Sequence, residues 1–197
     1  MMDSAIKNLL DELYAAGQRN DEHQGQYSQR MMNLQPETAQ LISILVRSSH
    51  RLRVLEIGTS NGYSTTWLAW SVSFTGGHLT SVDRDAHKHT LADANLRRAG
   101  LRELVDLVSG DAAAIVRDLP GPFDCVFFDA DRHSAPAQLE ALSPKLSPEV
   151  LLLADNAISH PAEIAGYLTA LQALPDIDHM IVPVGKGLSI AYRGLSL

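Results

Sequence analysis

A buried strand that runs into a glycine-bearing turn and then a helix constrains this chain more than any other feature. The stretch is Val54-Leu55-Glu56-Ile57-Gly58-Thr59-Ser60-Asn61-Gly62-Tyr63-Ser64, preceded by Arg51-Leu52-Arg53 and followed by Thr65-Thr66-Trp67-Leu68-Ala69. The apolar run predicts a short buried strand, and the apolar periodicity after the turn predicts a helix. Between them two glycines, a serine and an asparagine leave the backbone bare. At the carboxyl end of the first strand of an open α/β sheet, such a turn is where a nucleotide-like ligand sits. Turn glycines also occur in strand–helix units that bind nothing, so a purely structural reading stays open here.

What the turn lacks narrows the ligand. A dinucleotide site wants G-x-G-x-x-G, because the second glycine lets the backbone approach a pyrophosphate. Here the spacing is Gly58-x-x-x-Gly62, and Ser60 stands where that second glycine would be. The strand-end acid Glu56 is expected to face the pocket, where it is a poor neighbour for phosphates. The pattern suits a cationic adenosine ligand without phosphates, and S-adenosylmethionine is one. A nicotinamide-dependent reductase is the first rival, and Ser60 counts against it. A non-catalytic S-adenosylmethionine-binding protein is the second.

From residue 53 strands and helices alternate. Strands are predicted at Val54–Ile57, Leu79–Val82, Val105–Val108, Cys125–Phe128 and Val150–Leu153, with helices from about Tyr63, Ala86, Ala112, Pro136 and Pro161. This alternation implies α/β architecture, a doubly wound, mostly parallel sheet with helices on both faces. Met180–Val184 and Leu188–Tyr192 flank Gly185-Lys186-Gly187, which predicts a closing hairpin and one antiparallel strand. Before the alternation, an amphipathic helix is expected from Ser4 with Gly17 as its stop, then a polar loop over 18–29, then a helix opening at Pro36. These extra N-terminal helices, within residues 1–50, are candidates for a lid or a subunit contact in a homodimer. The whole of 1–197 is expected to be one domain.

A net charge of −7 argues against a nucleic-acid backbone or an anionic membrane as partner and leaves a small-molecule substrate. No apolar run approaches a membrane span, and Met1-Met2-Asp3-Ser4 lacks a signal-peptide pattern, so a cytoplasmic protein is expected. The single cysteine, Cys125, sits in an apolar run and is expected to be a core thiol.

Acids recur at strand ends. Asp83 lies about twenty residues past the turn glycines, the spacing at which an acid holds ribose hydroxyls. Asp111, in Ser109-Gly110-Asp111-Ala112, suits an adenine amino group or a helix N-cap, two compatible roles. Asp129 ends the fourth strand, and Asp155 and Asn156 end the fifth. Those three oxygen-bearing side chains suit a hard divalent cation such as Mg²⁺, with helix capping as the alternative.

Val54–Ala69, Ser81-Val82-Asp83-Arg84, Gly110-Asp111, Phe127-Phe128-Asp129-Ala130-Asp131 and Ala154-Asp155-Asn156 resemble class I methyltransferases of the catechol and caffeoyl-CoA O-methyltransferase group. Met32-Asn33-Leu34 resembles the Met-Asn-Val of the catechol enzymes. The resemblance spans about residues 30 to 193 and implies the Rossmann-like seven-stranded methyltransferase sheet with a reversed last strand. It implies S-adenosylmethionine at Met32, Leu34, Glu56, Gly58, Thr59, Ser60, Gly62, Ser64, Asp83, Arg84, Asp111, Ala112 and Asp129. It also implies a divalent metal (Mg, Mn or Ca) at Asp129, Asp155 and Asn156. The activity implied is O-methylation of a small catechol-like or other chelating substrate.

Two departures stand out. The family carries a lysine three residues after the first metal aspartate, where this chain has Arg132, which cannot act as a base. Arg132 is therefore expected to act as a positive charge, with His133 as the alternative base. Adjacent residues of an extended loop point opposite ways, which weighs against His133 sharing the pocket face with Arg132. The segment from Asn156 to the hairpin also lacks the long insertion that contacts the acyl-CoA part of plant substrates, which argues against an acyl-CoA ester.

Overall fold

The structure is a computed structural model describing residues 2–194; residue 1 and residues 195–197, the two ends of the expected domain, lie outside the described residues. Two helices, α1 (Ser4–His23) and α2 (Pro36–Ser48), precede the alternation. It runs β1 (Arg53–Ile57), α3 (Tyr63–Thr75), β2 (His78–Asp83), α4 (Ala86–Arg98), β3 (Val105–Ser109), α5 (Ala112–Asp118) and β4 (Phe123–Phe128). Then come α6 (Ala135–Leu142), β5 (Leu146–Ala154), α7 (Pro161–Gln172), β6 (Ile177–Val182) and β7 (Leu188–Arg193).

The sheet order is β3-β2-β1-β4-β5-β7-β6, the expected seven strands. Strands β1 to β5 pair in parallel, while β7 runs antiparallel to both β5 and β6. Strand period two sends alternate residues to opposite faces. Val54, Cys125, Phe127, Leu151 and Leu153 pack with Leu9, Leu10, Ile42, Leu68 and Leu96 of α1 to α4. Leu55, Ile57, Val126, Phe128 and Leu152 pack with Val116, Leu139, Ile164 and Tyr167 of α5 to α7. Each large buried side chain contributes about 1.5–3 kcal/mol, so both faces must be covered for such strands to form. Cys125 is buried, as expected. No helix among the described residues is long and apolar enough to cross a membrane.

Three expected elements shift: β5 starts at Leu146 and not Val150, β6 spans Ile177–Val182 and not Met180–Val184, and α1 runs past its expected stop. Helix α1 does not stop at Gly17 but continues to His23, so 18–23 are helical rather than loop. Gly17 is there for close packing. A Cβ at this position would meet the Asn33 side chain, whose Nδ2 donates to the Leu13 carbonyl (3.0 Å). The missing side chain thus lets residues 30–35 lie across the helix.

The turn between β6 and β7 is held just as closely. The Gly187 carbonyl accepts from Ala157 N (2.8 Å), and the Lys186 carbonyl accepts from Ile158 N (3.1 Å) and Ser159 N (3.0 Å). Gly187 has φ 91°, and a Cβ there would lie 2.5 Å from both the nitrogen and Cγ1 of Ile158. Gly187→Ala is therefore expected to lower the unfolding free energy by about 2–4 kcal/mol, strain and overpacking acting together, as read by urea denaturation.

Candidate functional site

The parallel strands point their carboxyl ends at one cavity of about 880 Å³, within the size range of small-molecule sites. It lies where the strand order reverses between β1 and β4, the position at which open α/β sheets bind ligands. Of the expected site residues, Met32, Leu34, Gly58, Thr59, Ser60, Ser64, Asp83, Arg84, Asp111, Ala112, Asp129, Arg132, His133 and Asn156 line it.

The glycine turn forms one wall. Gly58 N donates to the Val82 carbonyl (2.8 Å), and Asp129 N donates to the Ile57 carbonyl (2.9 Å). Gly58 has φ 111°, and a Cβ there would collide with the Asp129 carbonyl, so only glycine lets the two strand ends approach. Gly62 does not line the cavity; it lies against Ala92 of α4 and lets helix and turn close together. Asp83 accepts from Ser60 N (2.9 Å) on one carboxylate oxygen and Asp85 N (3.0 Å) on the other. Each oxygen keeps a lone pair for a ligand. Asp111 caps α5 by accepting from Ala114 N (3.0 Å) and still lines the cavity, so capping and ligand contact are compatible.

Glu56 departs from expectation. It is fully buried beneath the turn and does not line the cavity. One carboxylate oxygen, Oε2, accepts from Thr65 Oγ1 and Ser81 Oγ, both at 2.6 Å. The hydroxyl of Ser81 also meets that of Thr59 at 2.6 Å, so Glu56 anchors a hydroxyl chain under Thr59. Burial raises its pKa to about 7, against the opposing pull of the Ser64, Ser81 and Thr65 hydroxyls.

Across the cavity, Asp129 and Asp155 end adjacent strands, paired at Phe128 and Ala154. Asn156 Nδ2 donates to Asp155 Oδ2, while Asp155 Oδ1 is buried without a hydrogen-bond partner. Asp155 sits behind the cavity lining rather than in it. Burial, reinforced by the charges of Asp155 and Glu56, holds the Asp129 carboxyl well above the usual range, and burial also raises Asp155. The charges of Lys186 and Arg132 pull both back down. Among the described residues no three His, Cys, Asp or Glu side chains gather into a metal-holding group. The candidate set is two carboxylates and one amide, and further ligands would have to come from water or a bound molecule.

Arg132 and His133 both line the cavity, contrary to the expectation that they point opposite ways. The backbone there is a turn and not an extended loop. Asp131 holds it by accepting from His133 N (3.1 Å) and from Ser134 Oγ (2.6 Å). Arg132 Nε (2.9 Å) and Nη2 (2.7 Å) both donate to Glu163 Oε2 on α7. The guanidinium charge is therefore balanced by a carboxylate that sequence reasoning missed.

Residues 55–157 match the family described as a methyltransferase domain. The chain belongs to that family. It is 33% identical over 123 residues to a catechol O-methyltransferase of Mycobacterium tuberculosis, covering 62% of this chain and 56% of that protein. It is 30% identical over 131 residues to a catechol O-methyltransferase of Niastella koreensis, covering 64% and 59%. The matches thus span less than two thirds of those curated relatives. A solved methyltransferase from Geobacter sulfurreducens superposes with a TM-score of 0.77 at 25% identity, over 99% of this chain and 98% of that one. The fold is shared as well with an O-methyltransferase from Bacillus cereus solved in complex with SAH (TM-score 0.81, 24% identity, 98% and 92% covered).

In this methyltransferase domain Met32 belongs to the roof of the cavity, and the bonds that hold that roof escaped the sequence reading. Asp21 of α1 accepts from Met31 N (2.6 Å) and Met32 N (2.8 Å). Ser60 Oγ donates to the Met31 carbonyl (2.7 Å), and Lys88 Nζ donates to the Arg30 carbonyl (2.9 Å). These bonds tie residues 30–32 across the strand ends. His160 and Lys186, at the start of α7 and in the last turn, complete the far wall. His89 of α4 is buried beside Thr59 (3.4 Å), and burial lowers its pKa.

Glu56 makes stability depend on pH. Its pKa rises from 4.5 to about 7 on folding, so the native state holds the proton more tightly. The stabilisation is full below pH 4.5 and is lost as pH rises through about 7. Glu56→Gln is expected to flatten this decline by about 3 kcal/mol, measured by urea unfolding at successive pH values.

Proposed function

We propose that this protein transfers a methyl group from S-adenosylmethionine to a hydroxyl of a small catechol-like or similarly chelating acceptor, assisted by a divalent cation. The observation that carries the reading is one cavity with two chemically different ends. One end offers Asp83, the bare Gly58–Ser60 backbone and Asp111; the other offers Asp129, Asn156 and the buried Asp155. The printed names of the relatives, catechol O-methyltransferases, support it.

At the donor end, the free lone pairs of Asp83 accept the ribose hydroxyls, and Asp111 accepts the adenine amino group. Glycine at 58 lets this wall close against the Asp129 backbone. S-adenosylmethionine supplies a methyl on a sulfonium sulfur, which keeps the bonding electron pair when the methyl leaves.

The residues at the acceptor end fit a hard cation. Asp155 Oδ1 is orphaned, and two buried carboxylates with raised pKa values are relieved by a positive charge. Asp129, Asp155 and Asn156 would hold it, and the cation would lower the pKa of a chelating hydroxyl. Arg132, oriented by Glu163, keeps a guanidinium at the wall that donates hydrogen bonds and takes no proton. His133 lines the same cavity and is the alternative acceptor of the hydroxyl proton.

Asp83→Ala is expected to weaken S-adenosylmethionine binding by about 1.5–3 kcal/mol, roughly 10- to 100-fold in Kd by calorimetry. Unchanged affinity would remove Asp83 from the donor end. Stripping divalent metal with a chelator is expected to abolish methylation of a catechol, and Mg²⁺ or Mn²⁺ to restore it. Full turnover in the stripped enzyme would leave Asp129, Asp155 and Asn156 without a metal role.

A further inference from the structure

Lys186 reaches the acceptor end of the cavity from a turn fixed on both sides. Its carbonyl is held by Ile158 N and Ser159 N, Gly187 is wedged against Ile158, and Gly185 packs on Gln35 and Thr38 at the start of α2. The backbone therefore has little freedom to withdraw the side chain. Lys186 lines the cavity together with Asn156, His160 and Glu163. Among the described residues its ammonium makes no hydrogen bond and no close ion pair, whereas Arg132 on the same wall is engaged by Glu163. Its charge acts on Asp129 and Asp155, while its N–H groups are left to donate to an acceptor atom in the cavity.

The local charge says which atom. Asp129 and Asn156 line the cavity together with Lys186, and the Arg132 charge is engaged by Glu163. An acceptor hydroxyl that ionises here needs a fixed positive group beside it.

We propose that Lys186 is a catalytic residue whose ammonium donates a hydrogen bond to the acceptor oxygen and stabilises its negative charge as the hydroxyl proton leaves for solvent. The proposal rests on the methyl-transfer reading of the cavity and adds to it a residue from the closing hairpin. The oxygen then attacks the methyl carbon, the new carbon–oxygen bond forms as the carbon–sulfur bond breaks, and the electron pair of that bond stays on sulfur. Lys186 keeps its own protons throughout.

The test uses 4-nitrocatechol, whose ionisation is visible in its absorbance, titrated on the full protein with Mg²⁺ and S-adenosylhomocysteine. The wild type is expected to lower the bound probe's apparent pKa. Lys186→Met is expected to raise it again by about one unit and to cut kcat about 10- to 100-fold with a smaller effect on KM, the behaviour of a lost oxyanion donor. Lys186→Arg is expected to recover most of the spectral shift, and thermal melts of both variants check that the fold is intact. A Lys186→Met protein with the wild-type spectrum and turnover overturns the proposal, as does a wild type that leaves the probe unperturbed. A Lys186-dependent spectral shift in a wild type that methylates nothing supports the oxyanion role of Lys186 and refutes the methyl-transfer reading instead.

Discussion

At the centre of the sheet the strand order reverses between β1 and β4, and there Gly58 lies against the Asp129 carbonyl. That backbone contact sets the distance between the two ends of the cavity. On one side it presents the turn that carries Ser60 to Asp83; on the other it presents Asp129 and the residues that follow it. A side chain at 58 would separate the strands where their ends must be closest. The parallel pairing of Glu56 with Ser81 and with Phe127 carries this spacing down the sheet, so the site inherits the register of the core.

Bringing the acids of parallel strands to one edge creates a repulsion that the chain handles residue by residue. Asp83 is satisfied by two backbone N–H groups, and Asp111 by its helix cap. Glu56 is withdrawn from the cavity altogether, one oxygen accepting from two hydroxyls and the other buried without a partner. Asp129 and Asp155 are left with raised pKa values and an orphaned oxygen. In a protein interior, polar groups are overwhelmingly satisfied, so an unsatisfied carboxylate directly behind a cavity wall, beside a second buried carboxylate, marks where bound chemistry belongs.

Much of this was legible in the sequence, because parallel strands are written as apolar runs and their ends as acids. Gly58, Asp83, Asp111 and Asp129 all lie at strand ends that the apolar pattern locates within a residue or two. Glu56 was misjudged because strand period two assigns it a face, while only the packed hydroxyls of Thr65 and Ser81 reveal that the face is closed. The Arg132–Glu163 pair was invisible because it joins groups 31 residues apart on separate elements. Asp21 was missed through Gly17, whose role in letting residues 30–35 cross α1 mimics a helix stop. Lys186 was readable in principle: a turn following a strand parallel to β5 must fall at the same edge as the acids.

The walls of the cavity also come from different parts of the chain. Gly58, Asp83 and Asp111 lie within the 55–157 segment that carries the family match, as do Asp129 and Asn156. The 30–32 roof, His160, Glu163 and Lys186 all lie outside it. Division of labour along the polypeptide follows. The matched segment holds both chemical ends of the cavity, and the flanking segments form a jaw over them. Substitutions in that jaw can redirect what is bound opposite the glycine turn while the strand register beneath it stays untouched.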